Sequence, residues 1–138
     1  MSETFRGGCH CGSIRYEVVG EPGFSAHCGC SNCRRISGTG HKSIMMLPED
    51  GMKLTGTVSA YQYSGGSGAT VTHHFCPDCG SGLYSRISSM ENRFFLYPSS
   101  LDDPEQFKPS MVIYTGSAPS WDFHDPALPA FEETPKRD

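Results

Sequence analysis

No apolar run in the 138-residue sequence approaches the about 20 residues of a spanning helix, which argues against membrane insertion. Basic residues are not in excess either. Eleven Lys and Arg stand against 15 Asp and Glu, giving a formal charge of −4, and no Lys/Arg stripe is present. That balance argues against nucleic acid or an anionic membrane as a partner. Residues 1–8 lack the charged-then-apolar layout of a secretory signal, so a soluble cytoplasmic protein is expected. Internal repeats and a long amphipathic helix are also missing. An even number of cysteines is missing too: seven thiols leave one over from any complete set of disulfides. Neighbours as close as Cys9 and Cys11, or Cys28 and Cys30, are poorly placed to bridge each other. In a reducing cytosol, clustered thiols bind metal more often than they pair.

What the chain does have is turn chemistry. Sixteen Gly and 10 Pro accompany a hydrophobic content of only 36%. The length fits one domain over residues 1–138, with a modest core that gains from a metal staple. Ile14, Tyr16 and Val18 alternate with Arg15, Glu17 and Val19, the period of a half-buried strand. Further strands are expected over 24–27, 41–47, 52–54, 57–63, 70–75, 83–87, 93–97 and 111–114, separated by Gly, Pro and Ser turns. Ser31 and Gly38 read as the cap and stop of a short helix over 32–37. A second short helix, with Pro104 in its first turn, is expected within 102–107. From about Ser117 onward the chain is Pro-rich, acidic and expected to be irregular. The fold class is therefore mainly β, a single small domain of short antiparallel sheets with short helices.

The cysteines carry the chemistry. Cys28-Gly29-Cys30-Ser31-Asn32-Cys33-Arg34 places three thiols in one tight turn. Cys9/Cys11 and Cys76/Cys79 are two short pairs, each flanked by glycine, that lie far apart in sequence. Four thiolates suit a closed, structural zinc site, whereas three leave an open position of the kind catalytic zinc uses. The favoured division is Cys9, Cys11, Cys76 and Cys79 around one ion, and Cys28, Cys30 and Cys33 around a second. Cys28 or Cys30 trading places with Cys9 or Cys11 is the alternative. Each of the six histidines is read as a surface or core residue before a ligand. His27 should face away from Cys28, and His73 and His74 cannot both point inward. Arg34 and Arg35 add positive charge beside the triad and, with Lys42, are the candidate contacts for substrate carboxylates. Tyr97 and Trp121 are read as core aromatics before pocket walls.

Three stretches now resemble one known family. They are Gly8-Cys9-His10-Cys11-Gly12 leading to Tyr16, Cys28 to Arg34 with Gly38, and Phe75-Cys76-Pro77-Asp78-Cys79-Gly80-Ser81-Gly82-Leu83. Leu101-Asp102-Asp103-Pro104 and Tyr114 to Trp121 extend the match. The sequence is similar to the glutathione-dependent formaldehyde-activating enzymes, a family that also includes centromere protein V. His41-Lys42-Ser43 is more polar than that pattern leads one to expect. The resemblance implies a zinc-stabilised β-tent fold with a structural zinc at Cys9, Cys11, Cys76 and Cys79. It also implies an open or labile zinc at the catalytic set Cys28, Cys30 and Cys33, linked to glutathione. The implied reaction joins formaldehyde and glutathione as S-(hydroxymethyl)glutathione, a carbon–sulfur lyase reaction in reverse. The expected partner is a small thiol such as glutathione, bound by a monomer or homodimer. A non-catalytic, zinc-stabilised protein-binding module is the alternative.

Overall fold

Alternating apolar residues between Gly- and Pro-bearing turns produce ten short strands. The structure, a computed structural model, describes residues 2–135. In chain order these are β1 (Glu3–Gly8), β2 (Arg15–Gly20), β3 (Ser25–Cys28), β4 (Lys42–Pro48), β5 (Met52–Thr55), β6 (Ser59–Ser64), β7 (Thr70–Phe75), β8 (Gly82–Ile87), β9 (Arg93–Leu96) and β10 (Met111–Ile113). Among the described residues a single α-helix, α1 (Ser31–Ser37), follows β3, and the rest of the helical content is short 3-10 turns. The protein is mainly β, as its pattern predicts.

Two sheets result, one of three strands in the order β1-β2-β5 and one of seven in the order β10-β3-β4-β9-β8-β7-β6. Every strand pair is antiparallel except β10 with β3, which is parallel. In β2 the expected alternation holds: Tyr16 and Val18 are buried while Arg15 and Val19 are exposed. These side chains join Phe5 and Ile14 against Met45, Leu47, Leu83, Phe94 and Leu96, so the main core lies between the two sheets. A smaller cluster of Ala26, Cys28, Cys33 and Ile113 lies where β3, β10 and α1 meet.

Three local features differ from expectation, each for a physical reason. β1 is a full strand, although the strands expected from the sequence begin only at Ile14. Its glycines are needed because a Cβ on Gly7 would overlap the Ser100 carbonyl and the Tyr16 hydroxyl. The helix cap is Cys30 and not Ser31, with the Cys30 sulfur accepting from the Cys33 N–H at 3.3 Å. Gly38 does close the helix, in the left-handed conformation at φ 76°. Trp121, expected in the core, is 64% exposed. The chain beyond residue 117 has no strand or helix among the described residues, yet it is anchored. Val112 donates to the Pro129 carbonyl and Phe131 donates back to Val112, each at 2.9 Å, along the free edge of β10.

Candidate metal centres

The two CxC/CxxC turns meet at one end of the fold. The chain leaves β1 at Cys9 and returns into β2 after a tight turn in which Gly12 takes φ 83°. The chain leaves β7 at Cys76 and returns into β8 through Gly80, at φ 79°. Cys9, Cys11, Cys76 and Cys79 place their four sulfurs within 4.8 Å of one another. Cys9 and Cys11 are 3.6 Å apart, and Cys11 and Cys76 3.8 Å. A tetrahedron with zinc–sulfur bonds of about 2.3 Å has edges of about 3.8 Å, so this donor set fits zinc in number, chemistry and spacing. Backbone amides support the sulfurs: Ile14 donates to Cys9 at 3.3 Å and Asp78 to Cys76 at 3.4 Å. Ser81, through its hydroxyl and its N–H, holds the Cys79 thiol down at about 5. The Ser13 hydroxyl lies 3.2 Å from the Cys11 sulfur and 3.4 Å from that of Cys76, so Ser13 and Ser81 both help orient the thiols. Sequence pattern alone gives neither serine a role, although each lies two residues beyond the second cysteine of its pair.

The triad is built from one continuous stretch. Cys28 ends β3, Cys30 caps α1 and Cys33 lies in its first turn, and their sulfurs also lie within 4.8 Å of one another. Gly29 is required between them, since a Cβ there would press on Ala118 and the Tyr114 carbonyl. Cys28 and Cys33 are 4% and 8% exposed, and Cys30 is half-buried. Negative charge settles on Cys30. Hydrogen bonding from Cys28 and then Cys33 pulls its thiol far below the usual range, and the Cys33 and Asn32 N–H groups add to this. The same sharing pushes Cys28 up. Three soft sulfur donors fit zinc as well and leave room for one further ligand.

The surroundings of the triad are informative. Tyr63 is pushed up to about 12 by burial, with Cys33 and Cys30 contributing, and Tyr114 is raised by burial and then by Cys28 and Cys30. Both phenols therefore stay protonated beside the thiols. The Gly- and Ser-rich hairpin tip over 64–69 reaches the same place: Asn32 donates to the Ser64 carbonyl at 3.5 Å, and Gly66 lies against the Tyr114 hydroxyl. Arg35 is exposed, and Arg34 is partly buried with its guanidinium on the Ser117 carbonyl at 3.4 Å. Lys42 is placed differently from a surface contact. It is 6% exposed and donates to the Tyr97 hydroxyl at 3.3 Å. Tyr97 is buried, as expected of a core aromatic.

Among the described residues, no histidine joins either sulfur set. His27 faces away from Cys28, on Ser43 and against the His41 ring. His73 is buried while His74 stacks on Tyr84. An open cleft of about 660 Å³, lined by Glu49, Gln62, Arg86 and Arg93 among others, contains none of the cysteines. It surrounds the Arg86–Glu49 ion pair and has no part in the thiol chemistry.

This mainly β protein gathers its seven free thiols into one set of four and one of three, each of which could hold a metal ion. A family model described as glutathione-dependent formaldehyde-activating enzyme matches residues 4–117, and the chain belongs to that family. Curated relatives carry the name "Putative glutathione-dependent formaldehyde-activating enzyme". One from Penicillium rubens is 34% identical over 91 residues, covering 62% of this chain and 47% of the relative. One from Halomonas elongata is 28% identical over 121 residues, covering 83% of this chain and 77% of the relative. The chain spans about half the length of the fungal relatives it matches, 47% and 48% for two of them. A Rhodobacter sphaeroides protein of known crystal structure shares the fold, with a TM-score of 0.58 at 24% identity over 73% of this chain and 93% of that one.

Proposed function

We propose that this chain is a zinc-dependent enzyme of carbon–sulfur bond chemistry. It joins glutathione and formaldehyde as S-(hydroxymethyl)glutathione, and it cleaves that adduct in the lyase direction. The observation that carries this reading is the three-thiol cluster Cys28, Cys30 and Cys33, incomplete as a tetrahedral donor set and bordered by Tyr63, Tyr114 and the hairpin tip. The family's name and the relatives' names support the choice of glutathione and formaldehyde.

A zinc ion held by the triad would favour the thiolate form of a bound thiol and polarise a carbonyl oxygen. The chain's own residues do the rest. Cys28 and Cys33 form a dry floor, which strengthens every electrostatic contact made there. Tyr63 and Tyr114, kept protonated, are the proton-bearing groups beside the triad. In the synthetic direction the glutathione sulfur bonds to the formaldehyde carbon, the carbonyl π pair moves to oxygen, and the thiol's proton ends on that oxygen. Arg34 and Arg35 follow Cys33 on α1, and two guanidinium groups suit the two carboxylates of glutathione. Lys42, buried opposite Cys28, supplies positive charge from beneath the triad. Cys9, Cys11, Cys76 and Cys79 hold the structural zinc of one domain spanning 1–138. The seven free thiols fit a reducing compartment such as the cytoplasm. No helix of the described residues is long and apolar enough to cross a membrane.

The test is exchange between free formaldehyde and its glutathione adduct, followed by NMR. The zinc-loaded protein is expected to accelerate exchange above the spontaneous rate. A two-zinc protein that leaves the rate unchanged contradicts the reading. A specific observation favours the binding-module alternative: Trp121 and Phe123, 64% and 85% exposed, lie close together on the C-terminal segment. No acceleration, together with loss of a bound protein on Trp121→Ser, would shift the reading there.

A further inference from the structure

We propose that Lys42 is the built-in counter-cation of the three-thiol cluster: a buried ammonium, fixed by Tyr97 and His73, that sets how tightly Cys28, Cys30 and Cys33 hold their metal without itself being a ligand. The inference rests on the reading of the triad as a metal site.

Among the described residues, Lys42 is the buried member of the Asp, Glu, Lys and Arg set, at 6% exposure. A buried ammonium is costly unless an opposite charge compensates it. None of the ion pairs among the described residues involves Lys42. The register of β3 against β4 shows what does the compensating. Cys28 and Lys42 are direct antiparallel partners, so their side chains leave the sheet side by side on the same face. Cys33 shares the small buried cluster with Cys28, so the lysine stands beside both of the triad's buried sulfurs.

The ammonium is also locked in position. It lies 4.5 Å from the centre of the Tyr97 ring while donating to the Tyr97 oxygen. Tyr97 in turn bonds the Nδ1 of His73 at 2.8 Å, and His73 stacks between Phe75 and Tyr97. Burial, then the Lys42 charge, pushes His73 down to about 4, so its imidazole is neutral at physiological pH. The Tyr97 hydroxyl is kept protonated by burial. The network runs from Lys42, which donates to the Tyr97 hydroxyl, to the neutral His73, whose Nδ1 bonds that same hydroxyl. It carries one positive charge, and that charge is Lys42's.

The arithmetic of charge then separates the two clusters. A divalent ion with three thiolates carries one net negative charge, which one lysine balances. Four thiolates leave two negative charges, but Cys11 and Cys79 face water, and amides of Ile14 and Asp78 donate to their neighbours. Cys28 and Cys33 have little access to solvent. Arg35 is exposed, where water screens it, and the partly buried Arg34 guanidinium is turned to the Ser117 carbonyl.

The experiment is competition for zinc between a chromophoric chelator and the two-zinc protein, comparing wild type with Lys42→Met, Lys42→Arg and Tyr97→Phe. Methionine preserves the length and apolar stem but removes the charge. Lys42→Met is expected to hold its second zinc about tenfold or more weaker. Its first zinc, and the fold read by circular dichroism, should stay as in wild type. Lys42→Arg should recover most of the loss, and Tyr97→Phe should weaken the second site about threefold. A folded Lys42→Met with wild-type second-site affinity overturns the proposal, as does Lys42→Arg behaving like Lys42→Met. If Lys42→Met does not fold, Tyr97→Phe decides, and unchanged affinity there is contradictory. A wild-type protein that takes only one zinc overturns the metal reading of the triad itself. A two-zinc wild type with an unaffected Lys42→Met overturns the counter-cation alone.

Discussion

Cys79→Ser is expected to leave the protein unfolded at room temperature. The residue is exposed, so removing its sulfur costs almost nothing in packing, and the loss reports on the metal. Serine oxygen is protonated at neutral pH and is a hard, weak donor where zinc prefers thiolate. A structural zinc contributes of order 10 kcal/mol. Domains of ordinary size have about 5–15 kcal/mol of net stability. Weakening such a site therefore removes most of what holds the chain together. The position of the cluster sharpens the expectation, because it joins the β1–β2 turn to the β7–β8 turn and so ties the smaller sheet to the larger one. Loss of the far-ultraviolet β signal, restored by excess zinc if at all, is the expected observation. A Cys79→Ser protein with the wild-type melting temperature would show that the four-thiol set is not the structural staple.

Cys30→Ser is expected to do the reverse, with the fold kept and the chemistry lost. Cys30 is the cap of α1, and its sulfur accepts the Cys33 N–H. Serine is among the best residues for that task, so the helix start should be unchanged or improved. The metal site should not survive. Cys30 is the sulfur on which hydrogen bonds from Cys28 and Cys33 concentrate the negative charge, and two buried thiols remain without it. The variant should bind one zinc, melt within a few degrees of wild type and leave formaldehyde–glutathione exchange at the spontaneous rate. Equal unfolding of Cys79→Ser and Cys30→Ser would contradict the division of labour between the clusters.

Much of this arrangement was legible in the sequence because sulfur spacing constrains geometry so tightly. Two short pairs on glycine-bearing turns have few ways to meet other than around one point, and the structure brings Cys9 and Cys11 to Cys76 and Cys79. The exchange of Cys28 or Cys30 with that set does not occur. Alternation along β2 gave a strand whose inner residues are the buried ones, and of the adjacent pair that could not both point inward it is His73 that is buried. Other features were illegible for definite reasons. β1 holds Phe5 as its one large apolar residue and ends in two glycines, so nothing local marks it as a strand. Its pairing with β2 creates it. The cap fell on Cys30 because sulfur is a rarer cap than a hydroxyl, and Ser31 next to it was the ordinary choice. Lys42 lies in a polar stretch, His41-Lys42-Ser43, which reads as surface. Its burial becomes visible only once the register sets it beside Cys28 and beneath Tyr97. Trp121, the large aromatic expected inside, is outside: the segment after residue 117 is held by backbone bonds to β10, by Phe131 against the small cluster and by Asp122 on His41.

The most direct test of the two-cluster account is native mass spectrometry of the reduced protein, counting zinc ions per chain before and after glutathione is added. The account predicts two zincs. One should stay through the titration, and glutathione should either add to the second or remove it. A single zinc that ignores glutathione, or two that respond alike, would contradict it.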